Sequence, residues 1–188
     1  MPLLIAGLVV FLGIHLLPTL PKLRRGLIKR LGESRYKGAF SLASLAGLVL
    51  IVVGYRSAPV DVRLFAPSSA AQAVAPFAVT LAFILFAAGN MRGHLRHALK
   101  HPMLLGLLIF SGVHLLANGD LRGTVLFGAL LAYAVIDLIS AISRNAVKSF
   151  VPRRKFDIMA VTGGVVLAVG VMILHRMFFG VPVVAFGV

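Results

Sequence analysis

The sequence predicts an all-α integral membrane protein: a bundle of six transmembrane helices, with an amphipathic inner-leaflet helix between the first and the second. Three observations predict it. Of 188 residues, 60% are hydrophobic and only 13% are charged, against roughly 25% charged in a soluble domain. The mean hydropathy is +1.01. Apolar stretches recur along the whole chain, and the basic residues lie between them. Membrane topology therefore accounts for the net charge of +14, and nucleic acid is not expected as a partner. The chain has no cysteine, which excludes disulfides, thiolate-ligated haem and thiol catalysis.

A span needs about 20 residues. Six segments qualify and fill a single domain over residues 1–188: Pro2–Leu17, Ala39–Tyr55, Ala73–Asn90, Pro102–Leu116, Leu121–Ser143 and Asp157–Phe179. The fourth is short and the first slightly so; a thinned bilayer or a start beyond the apolar limits accommodates them. The first, MPLLIAGLVVFLGIHLLP, has no basic n-region and no small-residue cleavage site. It reads as a retained helix and not as a signal peptide.

Charge orients the spans. Lys22, Arg24, Arg25, Lys29, Arg30, Arg35 and Lys37 fill the first loop. Arg92, Arg96 and Lys100 lie in the third, and Arg144, Lys148, Arg153, Arg154 and Lys155 in the fifth. Fifteen of the 19 lysines and arginines thus fall in alternate loops, which the positive-inside rule makes cytoplasmic. Both termini then face outward. In PKLRRGLIKRLGESRYKG, Leu20, Leu23, Leu27 and Leu31 recur at helical spacing among cations. That pattern predicts an amphipathic helix on the inner leaflet, drawn by anionic lipid. The loop VDVRLFAPSSAAQAVAP is expected to be irregular, punctuated by Pro59, Pro67 and Pro76.

Ionisable residues inside a span are costly and mark candidate sites. His15 lies in the first span, His114 in the fourth, Asp137 in the fifth and His175 near the end of the sixth. Neutral imidazole suits haem iron or another borderline metal, and two histidines on separate helices can clamp one haem. His114 shares its helical face with Leu107, Phe110, Ser111 and Asn118; His15 shares its face with Leu8, Phe11, Leu12 and Thr19. On spacing alone, hydrogen bonding across helices is the better account of two isolated histidines. Asp137, one turn after Tyr133, is placed to pair with an inner-loop base or to orient a histidine.

A second cluster, HLRHALKH, sets His94, His97 and His101 at i, i+3 and i+7, on one face of a helix. Neighbouring Arg96 and Lys100, with no carboxylate close by, favour binding of anions over metal: lipid phosphate, a cofactor phosphate or haem propionates. A solvated basic connector has the same signature.

The run HPMLLGLLIFSGVHLLANGD, the following LFGALLAYAVIDLISA, and FLGIHLLP with the downstream GESRYKGAFSLASLAGLVL resemble the bacterial NnrU family. The resemblance covers nearly the whole chain. It implies residence in the bacterial inner (cytoplasmic) membrane, with both termini periplasmic, and an association with nitrite and nitric oxide metabolism in denitrification. The family is similar to plant zeta-carotene isomerase, a haem b membrane enzyme that isomerises a lipophilic substrate. By that likeness His15 and His114 are axial ligands of haem b; His97 and His101 are cofactor-binding candidates from the basic cluster, and Asn118 is one from its place on the His114 face. The relative's Arg-His-Pro stands here as Lys100-His101-Pro102, and its alternate cysteine ligand as Ser111. Expected partners are membrane lipid, haem, and a lipophilic substrate or redox partner.

Axial ligands must share one depth. His15 is about 10 Å from Lys22 and His114 about 20 Å from Lys100 along their helices. Either the fourth helix starts well outside the inner boundary, or His94, His97 or His101 replaces one ligand. Two other functions compete. His101-Pro102 with Gly106 resembles the pattern of integral-membrane methyltransferases that use S-adenosylmethionine, but after Asp137 only Asp157 remains of the acidic pair those enzymes need. A non-catalytic membrane assembly factor is the other.

Overall fold

The computed structural model describes residues 1–179 and Val183. It is helical throughout: α1 (Pro2–Leu16), a 3-10 turn (Leu17–Thr19), α2 (Pro21–Leu31), α3 (Glu33–Ser57), α4 (Ser69–Asn90), α5 (His94–Leu99), α6 (Pro102–Asn118), α7 (Leu121–Ser143) and α8 (Arg154–Phe179). Among the described residues, five helices are long and apolar enough to cross a membrane, and α6 is a shorter apolar helix of 17 residues. Only 17–22% of each long span is buried within the protein. Leu42, Phe77, Ile139, Val166 and Ile173 stand exposed on their helices. So much uncovered hydrocarbon fits lipid and not water. The chain is a multi-pass helical membrane protein.

The helices form a row. α1 packs on α3, α4 lies between α6 and α8, and α6 packs on α7, which joins the two sets through α1. Small residues set the close contacts, as expected where lipid removes the hydrophobic drive between helices. A Cβ at Gly7 would meet the backbone of Leu50 and Ile51 at 2.6–2.9 Å, and one at Gly47 would meet Phe11. Gly106 lets α6 approach Ala82 and Leu85 of α4, and Gly164 lets α8 approach Ile84.

Several boundaries differ from the sequence expectation, each for a local reason. The basic stretch is not one helix. Gly32 adopts φ +79°, ends α2 and starts α3 at Glu33, so GESRYKG belongs mostly to the second span. α4 begins at Ser69 because the Ser68 hydroxyl accepts from Ala71 N (3.2 Å). Pro76 therefore lies inside a helix and not in the loop. The preceding loop is tied down: Leu64 N donates to Gly119 O (2.9 Å), Leu121 N to Val62 O (2.9 Å) and Ser68 N to Leu116 O (2.9 Å). Asp120 caps α7 by accepting from Gly123 N at 2.8 Å. Arg122 closes this end, lying over the Tyr55 ring at 4.5 Å and donating to Tyr55 O.

The histidine-rich segment also departs from one continuous face. Lys100 takes φ +61°, which breaks α5 from α6, and Pro102 begins the new helix. His94 and His97 share α5, whereas His101 sits at the junction.

Candidate histidine site

His15 and His114 are held in the same way. His15 Nδ1 donates to Phe11 O (2.7 Å) and His114 Nδ1 to Phe110 O (2.8 Å), each one turn back along its own helix. A carbonyl only accepts, so Nδ1 carries the proton in both rings, and in the neutral ring Nε2 keeps its lone pair. Each ring lies against the phenylalanine of the preceding turn, with centroids 4.2 Å apart. Both imidazoles are half-buried among aromatic and aliphatic side chains. That posture is what a metal-ligating histidine needs: a fixed tautomer, a fixed ring plane and an apolar setting.

The rings differ in their third neighbours. His15 meets Phe40 of α3 at 5.2 Å and Tyr133 of α7 at 6.3 Å. It faces a shallow groove between α1 and α3, lined by Phe11, Phe40, Ser41, Ser44, Leu45 and Leu48. His114 stacks on Phe127 of α7, with centroids 4.6 Å apart and planes 29° from parallel. Phe127 precedes Tyr133 by six residues, about 9 Å along the helix axis. Each imidazole alone has a ligand's posture, but they stand at different levels and are not brought against each other. α6 starts beside the last turn of α4, where a Cβ at Gly89 would meet Met103.

His175 lies on α8, which with α6 flanks α4 on opposite sides. The levels of His114 and His175 can be read against α4, which α6 crosses at Gly106 and α8 at Gly164, both near Ile84. His114 lies eight residues beyond its crossing and His175 eleven beyond its own, about 12 Å and about 17 Å respectively.

The remaining predicted residues have local partners. Asn118 Nδ2 donates to His114 O (2.7 Å) at the end of α6. Ser111 is fully buried and its hydroxyl donates to Leu107 O. Asp137 accepts from the Tyr133 hydroxyl (3.1 Å), so its partner is neither an inner-loop base nor a histidine. His97 and His101 line a separate cavity where the end of α4, α5 and the start of α6 meet. His94 is engaged by Asp157: the carboxylate accepts from His94 N (2.9 Å), Leu95 N (2.8 Å) and His94 Nδ1 (2.8 Å). Asp157 thus caps α5 from α8, a role that only tertiary packing reveals. Asp157→Ala is expected to cost roughly 1 kcal/mol, read as a lower thermal unfolding midpoint. Among the described residues no group of three or more His, Asp or Glu is placed to hold a metal ion, so a metal-bearing group here would rest on one or two imidazoles.

Fold and site together define a multi-pass helical membrane protein with imidazoles oriented inside its spans. The family described as NnrU protein matches residues 3–183, nearly the entire sequence. The chain belongs to the NnrU family. No curated protein and no solved structure matches it.

Proposed function

We propose that the protein is a six-span protein of the bacterial inner membrane that binds haem b through its span histidines, His114 with His15 once a shift of α1 against α6 closes the roughly 9 Å between their levels, and that it acts in nitrite or nitric oxide metabolism. The observation that carries the reading is the matched posture of the two imidazoles, each with Nδ1 anchored to a carbonyl and Nε2 left as the lone-pair nitrogen. Haem, when bound, would supply one-electron chemistry or, after loss of a ligand, a site for nitric oxide. Phe11, Phe40, Phe110 and Phe127 would line its apolar surroundings. With both histidines engaged, the resting site is closed, which suits electron transfer better than isomerisation of a lipophilic substrate.

His175 in place of His15 is a second reading, favoured by a smaller difference of level from His114, about 5 Å against about 9 Å. Haem content of the purified protein separates them. The first reading expects about one haem per chain, reduced roughly tenfold or more in His15→Ala and retained in His175→Ala. The second expects the reverse. A protein free of haem when purified from haem-replete cells contradicts both.

The sixth span is α6, whose 17 residues reach about 25 Å and ask for local thinning of the bilayer. α2 lies on the inner leaflet: Leu20, Leu23 and Leu31 are exposed beside Lys22, Arg24 and Arg30, and α3 is its main support. The cysteine-free chain makes the orientation directly measurable. Ser68→Cys is expected to react with an impermeant maleimide in intact spheroplasts, and Lys148→Cys only after lysis. The opposite pattern would invert the topology.

A further inference from the structure

The basic cavity where the end of α4, α5 and the start of α6 meet lies apart from the histidine site. Its volume is about 390 Å³, and its wall carries Arg96, His97, Lys100, His101 and Lys148. No carboxylate lines it. The whole chain has five acids, and each is placed elsewhere. Glu33 pairs with Lys37 at 2.7 Å, Asp120 caps α7, Asp137 accepts from Tyr133, and Asp157 caps α5. Asp61 lies in the loop between α3 and α4, at the other end of the bundle. The cavity's cations therefore have no internal counterion, and clustering them costs repulsion that an anion would relieve.

The chain is bent to build this wall. Lys100 adopts φ +61°, a conformation that a side chain with a Cβ rarely takes, and that turn brings Lys100 and His101 to the cavity. The loop after α7 closes the other side. Its Phe150 is gripped by the Arg96 guanidinium (5.4 Å from the ring centroid) and by the His97 ring (6.1 Å). Arg153 N donates to Arg92 O (3.0 Å), fixing that loop to the α4–α5 connection. Pro102 and Met103, the first residues of α6, form part of the wall, so the positive end of the helix dipole adds to the field. Met103, Leu104 and Phe150 supply apolar surface beside the cations.

We propose that this cavity binds a phosphate group, carried either by an anionic lipid headgroup or by a soluble phosphate compound. Arg96 offers a planar fork for two phosphate oxygens, and Lys100 and Lys148 offer point charges. The site stands independently of the haem reading, since it uses neither His15 nor His114.

The test takes the full chain in detergent and follows its thermal unfolding midpoint with phosphatidylglycerol, phosphatidylcholine or inorganic pyrophosphate added. Ligand that binds the folded state raises the midpoint. Phosphatidylglycerol is expected to raise it and phosphatidylcholine to leave it in place. Lys148→Gln, in an exposed loop where folding is not at risk, is expected to weaken the response roughly tenfold, and Arg96→Gln with Lys148→Gln further still. Lys29→Gln with Arg30→Gln on α2 is expected to retain it. A response to pyrophosphate alone, lost in Lys148→Gln, assigns the same site to a soluble phosphate compound. No response to either phosphate, or a response lost equally in the α2 variant, overturns the proposal.

Discussion

His114→Ala is expected to strip haem from the purified protein, lowering the haem-to-protein ratio roughly tenfold or more. The expectation follows from how the ring is held. Phe110 O fixes the Nδ1 proton, Phe127 fixes the ring plane by stacking, and both constraints leave Nε2 as the only nitrogen for iron. Alanine removes the ligand and two aromatic contacts together, so a structural loss must be separated from a chemical one. His114→Gln does so. It keeps comparable bulk and a polar end but offers no imidazole nitrogen. Both variants are expected to be haem-poor, while His114→Gln unfolds closer to wild type. Full haem in His114→Gln would remove His114 from the iron.

The second large effect concerns the α1–α3 contact. A Cβ at Gly54 would collide with the backbone of Leu3 and Leu4, and backbone cannot rotate aside as a side-chain tip can. Gly54→Leu is expected to cost about 3 kcal/mol and to lower the unfolding midpoint by roughly 6–12 °C. Gly13→Ala, with open space at its Cβ, serves as the control and is expected to change little. Since α1 carries His15, parting α1 from α3 also opens the groove beside that ring. Haem content in Gly54→Leu then reports whether the α1 side takes part in binding. An unchanged midpoint would mean that α1 and α3 do not pack as described.

The helices were legible because hydropathy is a property of composition averaged over about 20 residues. Their ends were less so, because single residues decide them: Gly32 at positive φ, the Ser68 hydroxyl, and Lys100 bent to φ +61°. Pro76 misled as loop punctuation, since helix α4 carries it in its interior. The two span histidines could be found from sequence as rare polar residues in apolar runs. Their difference of level was legible as well, from about 10 Å to Lys22 against about 20 Å to Lys100, whereas the α7 residue that each ring meets, Tyr133 or Phe127, is a tertiary fact. The basic cavity was half visible. HLRHALKHP announced the cations and the lack of a carboxylate close to them in sequence. The break at Lys100 and the approach of Lys148 and Phe150 from a distant loop are tertiary facts.

The most direct measurement is the absorption spectrum of the purified wild-type protein, first oxidised and then reduced with dithionite. Two imidazoles on one iron predict a sharp Soret band and resolved α and β bands on reduction, the pattern of six-coordinate low-spin haem b. A preparation with no Soret band, or one whose band is the same in His114→Gln, would contradict haem ligation by this chain's span histidines.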